Sequence, residues 1–302
     1  MRLHRWFRIV AIMLTHPPYP IHEHDDLAYL AEALCQQVGL SKQKAAGLLR
    51  DTARCTGIIR SLGIYYTSDR AACLDAFYRR FLAHGDCAFD IGAHVGDRMA
   101  SFLRLGAQVI AVEPQPELAA LLRRMFSHQA IIIEALAGAE ASATCFYLNP
   151  ANPTIATASA DFMAAARDAP RWKDEQWHGT INRTVTTLDA LAVAYGAPDF
   201  VKIDVEGWED TVLLGLSKPP RALSFEFTTI YPEAAQRALA QLTALGYGAF
   251  NVCLGESMCF AHTEPQTAAA TSAWLATLPL SANSGDVYAS LEPDRLRQSS
   301  IR

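Results

Sequence analysis

Three short stretches of the chain concentrate residues able to do chemistry. The first is Asp90-Ile-Gly92-Ala-His-Val-Gly96, an acid followed by a glycine-containing turn. Such a turn between a strand and a helix lets a ligand approach the backbone and meet the helix's N-terminal N–H groups, which favour a carboxylate or phosphate. The second is Glu113, 21 residues after Gly92. An acid at the end of the second strand of a doubly wound sheet can accept both hydroxyls of an adenosine ribose. The third is Lys202-Ile-Asp204-Val-Glu206-Gly-Trp208, with Glu226 on the strand that follows. Carboxylates converging there could deprotonate a hydroxyl, hold a divalent cation such as Mg²⁺, or hydrogen-bond neighbouring loops.

The turn also discriminates between cofactors. In the dinucleotide fingerprint G-x-G-x-x-G the middle glycine lets backbone meet pyrophosphate. His94 occupies that position here, and its side chain would crowd a diphosphate, which disfavours NAD. The pattern is instead D-x-G-x-x-x-G. A ligand with an amino-acid end fits it, because its carboxylate can face the helix and its ammonium can be met by Asp90. S-adenosylmethionine has that shape. A nicotinamide-dependent oxidoreductase and a nucleoside-binding protein without turnover are the competing classes.

These residues need a scaffold, and the periodicity supplies one. Cys87 to Ile91 reads as a buried strand, Asp97 to Leu105 as a helix, Ala107 to Val112 as a strand, Leu118 to Met125 as a helix face, and Ala130 to Glu134 as a strand. That β-α-β-α-β alternation demands parallel strands with right-handed crossovers. Further strands are expected at Thr144–Leu148, Phe200–Asp204, Ala222–Phe227, Tyr247–Cys253, Met258–Ala261 and Asp286–Ser290. Helices are expected from Thr187 to Tyr195, after Trp208, and from Pro232 to Gly246. Residues 149–184 show no clear period and read as a loop over the acceptor, in which Phe162, Trp172 and Trp177 either stack on substrate or anchor the loop. Residues 25–84 read as helices that pack on the main domain and carry no chemistry, ahead of an α/β domain at 85–291. Residues 1–24 read as a leader and 292–302 as a polar, frayed tail.

Composition removes other classes. Of 302 residues, 51% are hydrophobic and 19% charged, enough for a buried core. The net charge of −5 lacks the basic excess of a protein that wraps nucleic acid. Seven cysteines with no C-x-x-C pair form neither a disulfide framework nor a zinc ribbon, and they suit the reducing cytoplasm. No stretch reaches the roughly 20 apolar residues that span a bilayer, and Arg8 cuts short the apolar run of the leader, unlike a signal peptide.

Taken together, Phe89-Asp-Ile-Gly-Ala-His-Val-Gly96, Val109-Ile-Ala-Val-Glu-Pro114, Thr187-Leu-Asp189 and Phe200-Val-Lys-Ile-Asp-Val-Glu-Gly207 resemble the FkbM family of S-adenosylmethionine-dependent methyltransferases. The resemblance runs over about residues 60–290. The family loop often carries Asn where this chain has His94, and histidine can donate a hydrogen bond as well. The resemblance implies a Rossmann-like class I methyltransferase fold, mostly parallel with one antiparallel strand near the end, and O-methylation of a sugar, polyketide or other small metabolite. It implies cofactor contacts from Asp90, Gly92, His94, Gly96 and Glu113, with Glu134 and Ala135 near the adenine. Asp204 and Glu206 would lie at the catalytic mouth. Asp204 is then the first candidate general base, with Glu206 or His178 as alternatives, and Mg²⁺ assistance is the less favoured route.

Overall fold

A computed structural model describes residues 25–298; the leader expected at 1–24 and the last four residues of the tail lie outside it. Seven strands form the main sheet. They are β1 (Cys87–Ile91), β2 (Gln108–Val112), β3 (Ala130–Ile133), β7 (Phe200–Ile203), β8 (Ala222–Thr228), β9 (Ala249–Leu254) and β10 (Ser284–Ser290), in the spatial order β3-β2-β1-β7-β8-β10-β9. All pairs are parallel except those made by β10, which runs antiparallel between β8 and β9. The order reverses between β1 and β7, so the carboxyl ends of these two strands flank a crevice where such sheets bind ligands. The expected mostly parallel sheet with one late antiparallel strand is what the chain forms.

Strand alternation sorts the side chains onto two faces. Phe89, Ile91, Ile110, Val112, Val201, Ile203, Leu223 and Phe225 point to one face, where they pack under α8 (Leu188–Tyr195), α9 (Glu209–Leu214) and α10 (Pro232–Ala244). Ala88, Val109, Ala111, Phe200, Ala222 and Tyr288 point to the other. That face is covered by α5 (Asp97–Arg104), α6 (Pro116–Met125) and the N-terminal helices α1 (Asp25–Val38), α2 (Lys42–Thr52), α3 (Thr56–Tyr65) and α4 (Ser68–Tyr78). The N-terminal segment thus shares one hydrophobic cluster with the sheet. Its anchor is aromatic: Phe81, just past α4, stacks on Phe200 at 5.0 Å and on Tyr288 at 5.5 Å between ring centroids.

Local signals set the helix ends. Ser41 caps α2 by accepting from the Lys44 N–H, and Thr187 caps α8 by accepting from the Ala190 N–H. Residues 149–184 are not the structureless loop their aperiodicity suggests. They contain α7 (Ala160–Asp168), capped by Ser159, and most of β6 (Gly179–Thr186). With β4 (Leu136–Ala137) and β5 (Ser142–Leu148), β6 makes a second sheet in the order β4-β6-β5. Residues on β6 alternate between exposed and half-buried until Val185, so polar Thr, Asn and Arg fill it and mute the strand signal. The strand expected at Met258–Ala261 is only a bridge between Cys253 and Phe260. The described part of the tail is docked, because Leu296 is fully buried and its carbonyl accepts from Asn251 Nδ2 at 2.8 Å. Among the described residues no helix is long and apolar enough to cross a membrane.

Candidate active site

A cleft opens at the carboxyl ends of β1, β2 and β7. Its floor is the contact of two turns. Gly92 (φ +82°) lies so close to the Asp204 turn that a Cβ there would overlap the Asp204 carbonyl oxygen. A Cβ on Gly96 (φ +79°) would meet Leu122 and Phe126 of the neighbouring helix and its end. Both glycines therefore serve packing of the chain on itself as well as any ligand's approach.

Glu113 is buried on the β2 side of the cleft. Its Oε2 accepts from the His94 N–H and its Oε1 from the Gln115 N–H, each at 2.8 Å, which ties the 92–96 turn to the end of β2. Burial, outweighing these two N–H donors, pushes its carboxyl up to about 8. Asp90 is 2% exposed and its Oδ2 has no partner. Burial first, and then repulsion from Asp97, push it up to about 7. His94 packs edge-on to Tyr65 at 5.5 Å, its Nε2 is buried without a partner, and burial lowers it to about 4, so the ring is neutral. Ala135 lines the cleft. Glu134 does not: its carboxylate pairs with Arg123 at 2.9 Å and Arg183 at 3.4 Å outside the lining. One residue past the end of β3, its side chain finds two guanidiniums rather than the crevice.

Asp204 sits at the mouth of β7, its side chain 35% exposed. Lys202 donates to Asp204 Oδ2 at 3.0 Å and to Asp286 Oδ1 at 2.8 Å. Burial alone would raise the Asp204 carboxyl, but the Lys202 ammonium and further hydrogen bonds hold it below its ordinary range. Glu206 (φ +56°) and Glu226 experience the opposite: burial, followed by the charge of Asp204, pushes both well above the usual carboxylate range. Asp204, Glu206 and Glu226 each bring an oxygen within 4.8 Å of the others. That spacing suits a shared proton, and Lys202 brings the chain's own cation to the cluster. Glu209 braces the turn from within by accepting from the Val205 and Gly207 N–H groups at 3.1 and 3.2 Å. Thr157 donates its hydroxyl to the Glu206 carbonyl at 2.7 Å.

The aromatic residues of the 149–184 segment anchor it. Phe162 makes edge contacts with Trp172 at 5.4 Å and Trp177 at 6.2 Å, packs against Gly207, and Trp177 donates to the Ile155 carbonyl at 2.9 Å. Trp208 packs among core residues. His178 is exposed and outside the lining, because it lies in the connection that leads into β6. Conversely, the N-terminal segment read as chemically silent supplies Tyr65 to the cleft wall, and its Arg70 bonds Asp97 at 2.8 Å and Glu256 at 2.9 Å. Nothing in the helical period of 25–84 marks those two residues. Lys202, a lysine inside an otherwise apolar strand, was a visible signal whose role only its neighbours reveal.

The charge balance of the lining is distinctive. The acids Asp90, Asp97, Glu113, Asp204, Glu206 and Glu256 share the lining with Arg98 and Lys202, both already paired with acids, and Arg70 pairs with Asp97 and Glu256 from behind. A diphosphate would find no free cation in this lining, whereas an ammonium could pair with the partnerless Asp90 carboxyl as it gives up its proton. Asp90 Oδ2, His94 Nε2 and Arg98 Nε are buried side-chain atoms of the lining without a partner.

Remote likenesses to solved structures exist. An O-methyltransferase from Bacillus cereus in complex with SAH is 9% identical, with 89% of this chain and 99% of that one covered and a TM-score of 0.39. A TehB-like SAM-dependent methyltransferase from Corynebacterium glutamicum is 8% identical, with 73% and 88% covered and a TM-score of 0.39. A precorrin-6Y C5,15-methyltransferase from Geobacter metallireducens is 14% identical, with 73% and 86% covered and a TM-score of 0.34. No curated protein matches the sequence. The model of the methyltransferase FkbM domain matches residues 90–248, over half of the chain, from Asp90 of β1 to the residue before β9. With the sheet order and the acid-lined crevice in place, that match makes this chain a member of the FkbM family of S-adenosylmethionine-dependent methyltransferases.

Proposed function

We propose that this enzyme methylates a hydroxyl oxygen of a small molecule or glycan, with Asp204 as the general base. The observation that carries the reading is the split within one carboxylate cluster. Lys202, 3.0 Å away, lowers the Asp204 carboxyl, while burial and the Asp204 charge raise Glu206 and Glu226 beside it well above the usual carboxylate range. Environments that push neighbouring acids apart assign one as base and the others as hydrogen-bond donors.

When bound, S-adenosylmethionine supplies a methyl group made electrophilic by its sulfonium. Asp90 would receive the cofactor's ammonium, and Glu113, with lone pairs left on both oxygens, would accept the ribose hydroxyls. Ala135 would offer the adenine a small apolar wall, and the neutral ring of His94 a hydrogen bond. Asp204 would take the substrate's hydroxyl proton, leaving that oxygen to accept the methyl group the cofactor supplies. Glu206, at the same mouth, can donate to a neighbouring substrate oxygen. Alignment of the reacting atoms by these walls contributes on the order of 7–11 kcal/mol at best. The seven free cysteines fit a cytoplasmic setting.

The test is Asp204→Asn. With labelled cofactor and fractionated metabolites or polysaccharide precursors as acceptors, turnover should fall by about 10²–10⁴-fold. Cofactor Kd should stay within a few-fold. Loss of cofactor affinity in a folded variant would reassign Asp204 to cofactor binding. A rise in melting temperature with NAD(H) and none with S-adenosylmethionine would restore the oxidoreductase alternative.

A further inference from the structure

A lysine within a parallel central strand is costly to bury, and Lys202 is buried to 1% side-chain exposure. Its three N–H bonds each have an acceptor: Asp286 Oδ1 at 2.8 Å, Asp204 Oδ2 at 3.0 Å and the Ile203 carbonyl at 3.4 Å. The ammonium is therefore fixed in direction. Asp286 comes from β10, the antiparallel strand, and its carboxyl is 4% exposed, so the deep end of the clamp is closed to water. Only the Asp204 end opens to the cleft.

We infer that Lys202 is the positioning residue of methyl transfer, and that Asp286 is the brace that aims its ammonium, so that Asp204 presents a fixed, ionised oxygen to the substrate hydroxyl. The inference rests on the reading of Asp204 as base. A buried ion pair kept for stability alone is a weak explanation, because well-packed apolar replacements of such pairs are often as stable. The surrounding charges leave no substitute cation. Asp90 faces Lys202 from β1, Glu226 from β8, Tyr288 from β10 and Tyr78 from α4, while Glu206 and Glu209 approach Asp204 from its own turn. The other cation in reach, Arg98 of α5, is committed to Asp97 at 2.7 Å and Glu256 at 2.6 Å. Without Lys202 only the Glu226 hydrogen bond and the more distant, already paired Arg98 would favour the Asp204 charge, and Asp204 would hold its proton to higher pH.

The experiment titrates Asp204 directly, in the full chain without cofactor, by carboxyl ¹³C NMR on protein labelled at aspartate and assigned with Asp204→Asn. In wild type the Asp204 midpoint should lie below the ordinary aspartate range. Lys202→Met should raise its midpoint by about 1–3 pH units, whereas Lys202→Arg should keep it low. Asp286→Asn, which removes a competing carboxylate without changing shape, should move the midpoint down. An Asp204 midpoint in Lys202→Met equal to wild type overturns the inference. Should Lys202→Met fail to fold, Lys202→Gln, which keeps a hydrogen-bond donor without the charge, takes its place, and an unchanged Asp204 midpoint there overturns the inference. The outcome is separable from the reading beneath it: wild-type turnover in Asp204→Asn would remove Asp204 as base, whatever Lys202 does to its titration.

Discussion

The two walls of the cleft are built from the same residue type and use it in opposite ways. On the wall made by β1 and β2, Asp90 and Glu113 are buried acids with no basic partner in hydrogen-bond reach, and burial pushes them up to about 7 and 8. Glu113 spends its oxygens on two backbone N–H groups and so sets the shape of the 92–96 turn. On the β7 wall, Asp204 has a buried ammonium 3.0 Å away and remains charged. The difference teaches that a cation in hydrogen-bond reach holds an acid low here only where burial does not outweigh it: Asp286, bonded to the same ammonium at 2.8 Å but 4% exposed, is still raised. A wall of poised, proton-holding acids suits a cationic cofactor; a wall with one fixed anion suits proton removal.

The contact between the walls is the place where substitution should do most harm. Gly92→Ala would drive a methyl group into the Asp204 carbonyl at a backbone conformation that L-residues avoid, and should cost about 4 kcal/mol or more, read as loss of the cooperative thermal transition. A Gly92→Ala variant as stable as wild type would mean that the two turns can separate.

A charge experiment on the first wall comes next. Asp90 has its folded value raised from 3.8 to about 7, so its contribution to stability is fully present below the unfolded value and is lost as pH rises through the folded one. Glu113, raised from 4.5 to about 8, acts in the same direction. The cofactor-free protein should therefore lose stability between about pH 4 and 7 by a few kcal/mol on account of Asp90 alone. Asp90→Asn should flatten that part of the curve in urea titrations across the range. Equal pH dependence in wild type and variant would show that Asp90 finds a counter-charge.

Glu113→Ala removes both a brace and an acceptor. Cofactor binding, measured calorimetrically, should weaken by about 1–3 kcal/mol, and an unchanged Kd would sink the ribose assignment. The smallest effect is expected from chelation. Lys202 already compensates the β7 wall, so exhaustive EDTA treatment should leave turnover as it was, and a loss restored by Mg²⁺ would replace the ammonium with a metal as the organiser of the three carboxylates.

Much of this architecture could be read along the chain. Phe89-Asp-Ile-Gly92 announces a strand entering a turn, Gly106 and Gly246 end helices at positive φ, and Ser41 and Thr187 cap them, because each of these signals acts over a few residues. Strand order was enough to bring Asp90, Gly92, His94, Glu113, Ala135, Asp204 and Glu206 to one crevice, and all of them line it. Gly96 stands behind them, packed on Leu122 and Phe126 rather than in the lining. The segment 149–184 was opaque because a strand with one wet face, and a helix of nine residues, carry too few apolar positions to show a period.

Residue types and their spacing along the chain were enough to establish the α/β alternation, the close-packed glycine turns, and the presence of acids at strand ends. Folding settled which acid meets which cation. Glu134 turned to Arg123 and Arg183, Asp204 to Lys202, and Arg70 reached Glu256 across 186 residues of sequence. Periodicity reports which face of its own element a side chain occupies. Charge state depends on what other elements place within a few ångströms in a medium of low dielectric, and no local pattern carries that information.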